Sequence, residues 1–229
     1  MAPVARYDGL AEWYDEFTRG GASGTVTGIG LETAARLLGP GSGTCLDLGC
    51  GTGIAIPKLA ELGWAVVGVD VSADQLRLAE DRVGDHAERF VRADAAQLPF
   101  ADDLFDAGFS LFTHTDLDDF PAALREVARV LRPGAPFVYV GPHPCFVGPH
   151  SRFLTGEGIP VLYPGYRRMG RYEEGPGITP EGLRAKVGAT HLPLGVFLQA
   201  FLDAGFRLEQ FEEPGERDYP VPIALRARK

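Results

Sequence analysis

Apolar residues along this chain fall into two rhythms that alternate. Short runs at residues 44–48, 65–70, 88–92, 104–111 and 136–141 are bounded by turn residues and read as strands. Between them, apolar residues recur three and four apart, the spacing of a helix face. One such stretch follows Gly53, with Ile54, Leu59 and Leu62. Another, Leu76–Val83, follows Ser72-Ala-Asp-Gln75, which has the pattern of a capping box. A third begins near Asp118, carries Phe120, Leu124, Val127, Ala128 and Leu131, and is stopped by Pro133-Gly134. Ahead of the first strand, Leu10, Trp13, Tyr14 and Phe17 predict a helix over residues 5–18. Gly20–Gly24 predicts a flexible break, and a second helix runs to about Leu38, where Gly39-Pro40 ends it. The alternation predicts an α/β fold with a doubly wound, mostly parallel, Rossmann-like sheet.

After the fifth strand the rhythm breaks. Residues 142–192 open with Pro142-His-Pro-Cys-Phe-Val-Gly-Pro-His150 and continue with tyrosines interleaved among arginines. A connection this long inside a compact fold is usually functional, and it predicts a lid inserted after the fifth strand. Within it, Thr179-Pro180-Glu181 predicts the cap and first turn of a short helix. Leu194, Phe197, Leu198, Phe201 and Leu202 then form a stripe ended by Gly205, and Phe206–Phe211 and Tyr219–Ala227 predict two last strands. The whole, 1–229, reads as one domain: a helical cap (1–38), a cofactor-binding core (39–141), the lid (142–192) and a C-terminal helix and strand pair (193–229).

The densest chemical signal sits at the end of the first strand, in Thr44-Cys-Leu-Asp-Leu-Gly-Cys-Gly-Thr-Gly53. A strand, three alternate glycines (Gly49, Gly51, Gly53) and a helix start are the layout of a nucleotide-cofactor loop. Asp70 ends the second strand, where a doubly wound fold places the carboxylate that receives both ribose hydroxyls. The dinucleotide fingerprint is Gly-x-Gly-x-x-Gly, whereas here Ile54 takes the third-glycine slot and Asp47 stands just before the loop. A carboxylate there repels a pyrophosphate and attracts the ammonium of a methionyl group. The charge favours S-adenosylmethionine over NAD, and an NAD-dependent oxidoreductase becomes the weaker alternative.

Four segments carry a resemblance. Leu46-Asp-Leu-Gly-Cys-Gly-Thr-Gly53, Gly68-Val-Asp-Val-Ser72, Ala93-Asp-Ala95 with Leu98-Pro-Phe100, and Arg129-Val-Leu-Arg-Pro-Gly134 resemble class I S-adenosylmethionine-dependent methyltransferases of the small-molecule branch. The resemblance implies a seven-stranded sheet with a last antiparallel strand, and a cofactor held along the strands' carboxyl ends. It implies that Asp94 accepts from the adenine amino group and that Ala95 offers its N–H. Val71 and the backbone of Ser110–Phe112 would line the cofactor, with Tyr14 near its methionyl end. An S-adenosylmethionine-binding cyclase on the same fold would carry the same motifs and stands as the first alternative, ahead of the NAD-dependent oxidoreductase.

A formal charge of −9 gives no basic footprint for nucleic acid. The Asn/Asp-Pro-Pro-aromatic turn that the resemblance associates with base or glutamine methylation is absent after the fourth strand. The expected acceptor is a small molecule, methylated on oxygen, with no nucleic acid or membrane partner and a monomer or homodimer as the working unit. No run of membrane-spanning length and no leader-like start is present, and three cysteines without CxxC spacing suggest a reduced, cytoplasmic protein. If the acceptor carries a tightly held proton, a base is needed. His143, held between two prolines, is the first candidate, with His150 and His191 behind it. His143, Cys145, His150 and His191 match no zinc motif, so no metal is expected, and His86 and His114 read as structural or exposed.

Overall fold

Continuous apolar runs do form the middle of a sheet. A computed structural model describes residues 5–84, 89–153, 158–179 and 181–229. Its elements are α1 (Ala11–Arg19), α2 (Gly21–Leu38), β1 (Thr44–Leu48), α3 (Ile56–Glu61), β2 (Ala65–Asp70), α4 (Ala73–Val83), β3 (Arg89–Arg92), β4 (Ala107–Leu111), α5 (Phe120–Val130) and β5 (Pro136–Pro142). The lid contributes β6 (Ser151–Phe153), β7 (Pro160–Leu162), β8 (Gly170–Tyr172), α6 (Leu183–Val187) and β9 (Ala189–His191), and α7 (Leu194–Asp203), β10 (Arg207–Glu212) and β11 (Pro222–Arg228) close the chain.

Seven strands pair in the order β10-β11-β5-β4-β1-β2-β3. β3, β2, β1, β4 and β5 are parallel, and β11 runs antiparallel to both β5 and β10. Strand order reverses between β1 and β4, so the crevice for a ligand lies beyond the carboxyl ends of those strands. Both faces are covered. Along β5, Phe137 and Tyr139 pack with Phe197 and Phe201 of α7 and Leu124 and Val127 of α5. Val138 and Val140 pack the other way, against Leu37 and Leu38 of α2 and Leu59 of α3. Burial on both faces is why these strands read as unbroken apolar runs.

Several expectations need correction. The first helix starts at Ala11, because residues 5–10 form turns, with N–H groups of Asp8 and Leu10 bonded to the carbonyls of Ala5 and Tyr7. Gly20–Gly24 is not a flexible break: α2 begins at Gly21, and only Gly20 is extended. A side chain at Gly24 would run into the carbonyl of Arg19, so glycine there permits the tight corner between α1 and α2. The fourth strand begins at Ala107, with Phe105 making a separate bridge to Leu131. The short lid helix is preceded by Gly182 rather than capped by Thr179. Leu202 is 48% exposed and leaves the buried stripe of α7. The expectations for His86, Glu88 and Pro180 fall outside the described residues.

The lid is not structureless. It holds two short antiparallel pairs, β6 with β7 and β8 with β9, and it is tied to the core where the Thr190 N–H donates to the carbonyl of Thr115, 2.6 Å away. Among the described residues, no helix is long and apolar enough to cross a membrane.

Candidate cofactor and acceptor site

β1 delivers the glycine loop. Past Leu48 the chain turns sharply, and the N–H groups of Gly49 and Cys50 both donate to the carbonyl of Val69 at the end of β2. Gly49 has φ +68°, and a side chain there would strike Thr113. Glycine is required twice over, by conformation and by space. Gly53, also at positive φ, lies against Ala79 of α4.

Beyond this turn lies a cavity of about 190 Å³. Its wall is assembled from the carboxyl ends of four strands: Gly49 and Gly51 after β1, Asp70 and Val71 after β2, Asp94 and Ala95 after β3, and Phe112 and Thr113 after β4. Tyr7 and Tyr14 close it from the N-terminal segment. A smaller adjoining cavity continues past Tyr14, Gly49 and Phe112 to Asp47. Of the residues singled out in the sequence, Tyr14, Asp47, Gly49, Gly51, Asp70, Val71, Asp94, Ala95 and Phe112 are brought together here. Gly53 and Ser110 support the wall from behind, Ser110 with its hydroxyl bonded to the Leu48 carbonyl and to the hydroxyl of Thr113. Phe112 is held at φ +59°, a costly conformation for a bulky residue, by its N–H bond to the Val140 carbonyl.

The electrostatics favour a cation. Asp70 accepts from the N–H of Gly51 at 3.0 Å and of Ser72 at 2.9 Å, which aims its carboxylate across the loop. Burial pushes its pKa up to about 6, against the pull of those backbone bonds. Burial, and then the charge of Asp70, pushes Asp47 up to about 7. One oxygen of Asp47 and the carbonyl oxygen of Gln75 are buried with no partner among the described residues. A buried acceptor without a donor costs about 1–3 kcal/mol, so this end of the site is incomplete without a group that brings N–H, O–H or positive charge. An ammonium, a sulfonium and a ribose diol satisfy those acceptors, and a pyrophosphate does not. The residues present therefore fit S-adenosylmethionine. Asp94 accepts from the Ala96 N–H at 2.9 Å, which leaves its second oxygen for a ligand.

A second polar group borders the cavity, and sequence reading missed it. Asp116, after β4, accepts from the Tyr7 hydroxyl at 3.0 Å and from Arg184 of α6 at 2.7 Å, both on one oxygen. Arg184 also donates to the Thr115 hydroxyl at 2.7 Å, and Arg6 donates to the Asp116 carbonyl at 3.1 Å. Burial opposes the charge on Arg184, but the Asp116 carboxylate bonded to it outweighs this and raises its pKa. Burial and then Asp116 raise both Tyr7 and Tyr14, so both phenols stay neutral. Three segments far apart in sequence meet at this carboxylate, and no local spacing announces that.

The lid histidines do not reach the cavity. His143 accepts from the Cys145 N–H at its Nδ1 and donates from Nε2 to Glu213, 2.8 Å away. His150 donates to the Cys145 carbonyl and His191 to the Tyr166 carbonyl. All three are buried, and Nδ1 of His150 has no partner among the described residues. His143 thus faces Glu213 and does not line the cavity. His114 is buried among Phe120, Tyr139 and Phe197, and burial pushes its pKa down to about 3. Among the described residues, no group of three or more His, Cys, Asp or Glu is placed to hold a metal.

The methyltransferase domain family matches residues 46–139, from β1 to the middle of β5. A demethylmenaquinone methyltransferase of Mycobacterium marinum is 37% identical over 142 residues, which cover 59% of this chain and 57% of that protein. The O-methyltransferase resE of Aspergillus sclerotiorum is 36% identical over 109 residues, 45% of this chain and 41% of that one. The chain thus spans about half the length of the curated relatives it matches. A solved S-adenosylmethionine-dependent methyltransferase from Mesorhizobium loti superposes with a TM-score of 0.73 at 26% identity, over 91% of this chain and all of that one.

Proposed function

Because the chain belongs to the class I S-adenosylmethionine-dependent methyltransferases, we propose that it transfers a methyl group to a small-molecule acceptor, at an oxygen. The observation that carries this reading is the electronegative glycine loop, in which Asp47, Gln75 and Asp70 present acceptors that a cationic, hydroxylated ligand satisfies. When bound, S-adenosylmethionine supplies a methyl carbon already activated by a sulfonium. The protein's part is alignment and exclusion of water, which can account for about 7–11 kcal/mol of barrier. Gly49, Gly51 and Asp70 fix one end of the cofactor, Asp94 and Ala95 the other, and Tyr7 and Tyr14 keep water off the reacting centre.

The acceptor enters from the side of Asp116, whose second oxygen receives the proton of an acceptor hydroxyl. Tyr7 and Arg184 hold that carboxylate in aim. His143, His150 and His191 have no part in this reading, since none of them lines either cavity. The names of the relatives support a small acceptor, and one of them supports oxygen.

The test is a screen in which the enzyme and methyl-labelled S-adenosylmethionine meet a small-molecule extract, total RNA and total protein. Label on an oxygen of a small molecule, with stoichiometric S-adenosylhomocysteine, is the expected result. Label only on a macromolecule overturns the acceptor class. A changed small molecule with no cofactor turnover favours the cyclase alternative.

A further inference from the structure

The lid carries a face that the site does not use. Between Leu162 and Met169, six of eight residues are exposed: Leu162, Tyr163, Pro164, Arg167, Arg168 and Met169. Leu162 and Met169 are among the most exposed large apolar side chains described, at 58% and 63%. The segment is a turn, closed by the Arg168 N–H on the Gly165 carbonyl, 2.9 Å away. It is anchored from beneath by Tyr166, whose carbonyl accepts from His191 and whose hydroxyl accepts from the Leu194 N–H. An anchored turn does not need leucine and methionine on its outside for folding. Large exposed apolar groups in one place mark an interaction surface.

Charge says what kind. The guanidinium groups of Arg167 and Arg168 make no hydrogen bond or ion pair among the described residues, and neither does that of Arg152, which lies across from Val161 in the β6–β7 pair. No Asp or Glu occurs from residue 158 to 172, although the chain as a whole carries −9. Unpaired guanidinium groups beside Leu, Met, Tyr and Pro suit the boundary between headgroups and acyl chains, where stems and rings enter the apolar layer and charges stay at the phosphates. An acidic protein partner accounts for the arginines but not for apolar groups on a turn, since protein anchors seat in concavities and the two cavities described above lie elsewhere.

We propose that this turn docks the lid on an anionic lipid surface, and that the acceptor is a lipophilic molecule taken up from it. The acceptor half rests on the methyltransferase reading. The turn leads directly into β8, whose Arg171 donates to the Val187 carbonyl at the end of α6, the helix whose Arg184 holds Asp116 at the cavity wall, so the docked face is joined through one piece of the lid to that carboxylate. A surface contact of this kind needs no spanning helix.

The test is co-flotation of the full chain with vesicles of phosphatidylcholine containing about 30% phosphatidylglycerol, and with phosphatidylcholine alone. The expected result is binding to the anionic vesicles only. Arg167→Glu with Arg168→Glu should reduce that binding roughly 30-fold or more, and raised salt should weaken it. Leu162→Ser with Met169→Ser should also weaken it, while both double variants keep their melting temperature and their affinity for S-adenosylhomocysteine. Absence of binding by the unmodified protein overturns the proposal, as does binding that neither pair of changes affects. Self-association through the turn, or capture of an acidic polypeptide such as polyglutamate in place of vesicles, likewise overturns it. Calorimetry with S-adenosylhomocysteine is read separately, so failure of the methyltransferase reading is distinguishable from failure of docking.

Discussion

At the scale of single residues, the site is organised by carboxylates whose surroundings differ. Asp70 is met by the N–H groups of Gly51 and Ser72, Asp47 keeps one buried oxygen without a partner among the described residues, and Asp116 is met by a phenol and a guanidinium. Asp116 and Arg184 are largely buried, with side chains 23% and 19% exposed. Asp116→Asn leaves the guanidinium without its counter-charge, and Arg184→Met leaves the carboxylate facing only Tyr7. Each change should lower stability by about 1–3 kcal/mol, and the double variant by clearly less than the sum. Thermal unfolding of the four proteins checks this. Strict additivity would mean that the pair is not coupled and does not tie lid to core.

At the scale of elements, the cap is a clamp. Asp15 of α1 accepts from the Thr52 hydroxyl at 2.8 Å and pairs with Arg82 of α4 and Arg19. Just upstream, Asp8 accepts from the Ser72 hydroxyl and Asp74 takes the Gly9 N–H, both at 2.6 Å. Residues 8–15 are thereby stitched onto the loops after β1 and β2. Asp15→Ala should speed release of S-adenosylhomocysteine about tenfold while costing about 1–3 kcal/mol of stability, measured by stopped-flow displacement and by urea unfolding. Unchanged release would show that the clamp does not gate the site.

How much of this was legible in the chain depends on the range of the interaction. β1, β2 and β5 were visible because burial on both faces writes continuous apolar runs, and the glycine loop because its geometry is local. The Ser72 cap of α4 was visible for the same reason, its hydroxyl accepting from the Gln75 N–H. Tyr7, Asp15, Asp116 and Arg184 were not read as a network, because their partners lie 37 to 109 positions away. The lid strands are three residues long, too short to show a period of two. The prolines beside His143 suggest a fixed ring direction, but nothing local in the sequence names Glu213, seventy positions on, as the partner of its Nε2.

At the scale of the whole molecule, the cofactor end makes stability and binding respond oppositely to pH. Asp47 and Asp70, pushed up to about 7 and about 6, bind protons more tightly folded than unfolded. Their contribution to stability is therefore present below the ordinary carboxylate range and is lost as pH rises toward 7. His114, pushed down to about 3, has the opposite sign and costs stability as pH falls below its ordinary value near 6.5. A difference curve isolates Asp47: above pH 7, Asp47→Asn should be more stable than the unmodified protein by on the order of 3 kcal/mol, with the gap closing near pH 4. Ligand binding should run the other way. Affinity for S-adenosylhomocysteine should rise by up to about tenfold per pH unit below pH 7, and Asp47→Asn should flatten that slope. Parallel curves for the two proteins would remove Asp47 from the account.

The central claim is that the glycine loop and the carboxylates beside it hold S-adenosylmethionine. Titration calorimetry at pH 7.5 with S-adenosylhomocysteine and with NAD tests it most directly. Saturable binding of S-adenosylhomocysteine is expected, with none of NAD and a loss of about 1–3 kcal/mol in Asp70→Ala, the worth of hydrogen bonds to a charged partner. No binding by the unmodified protein, or tighter binding of NAD, would contradict it.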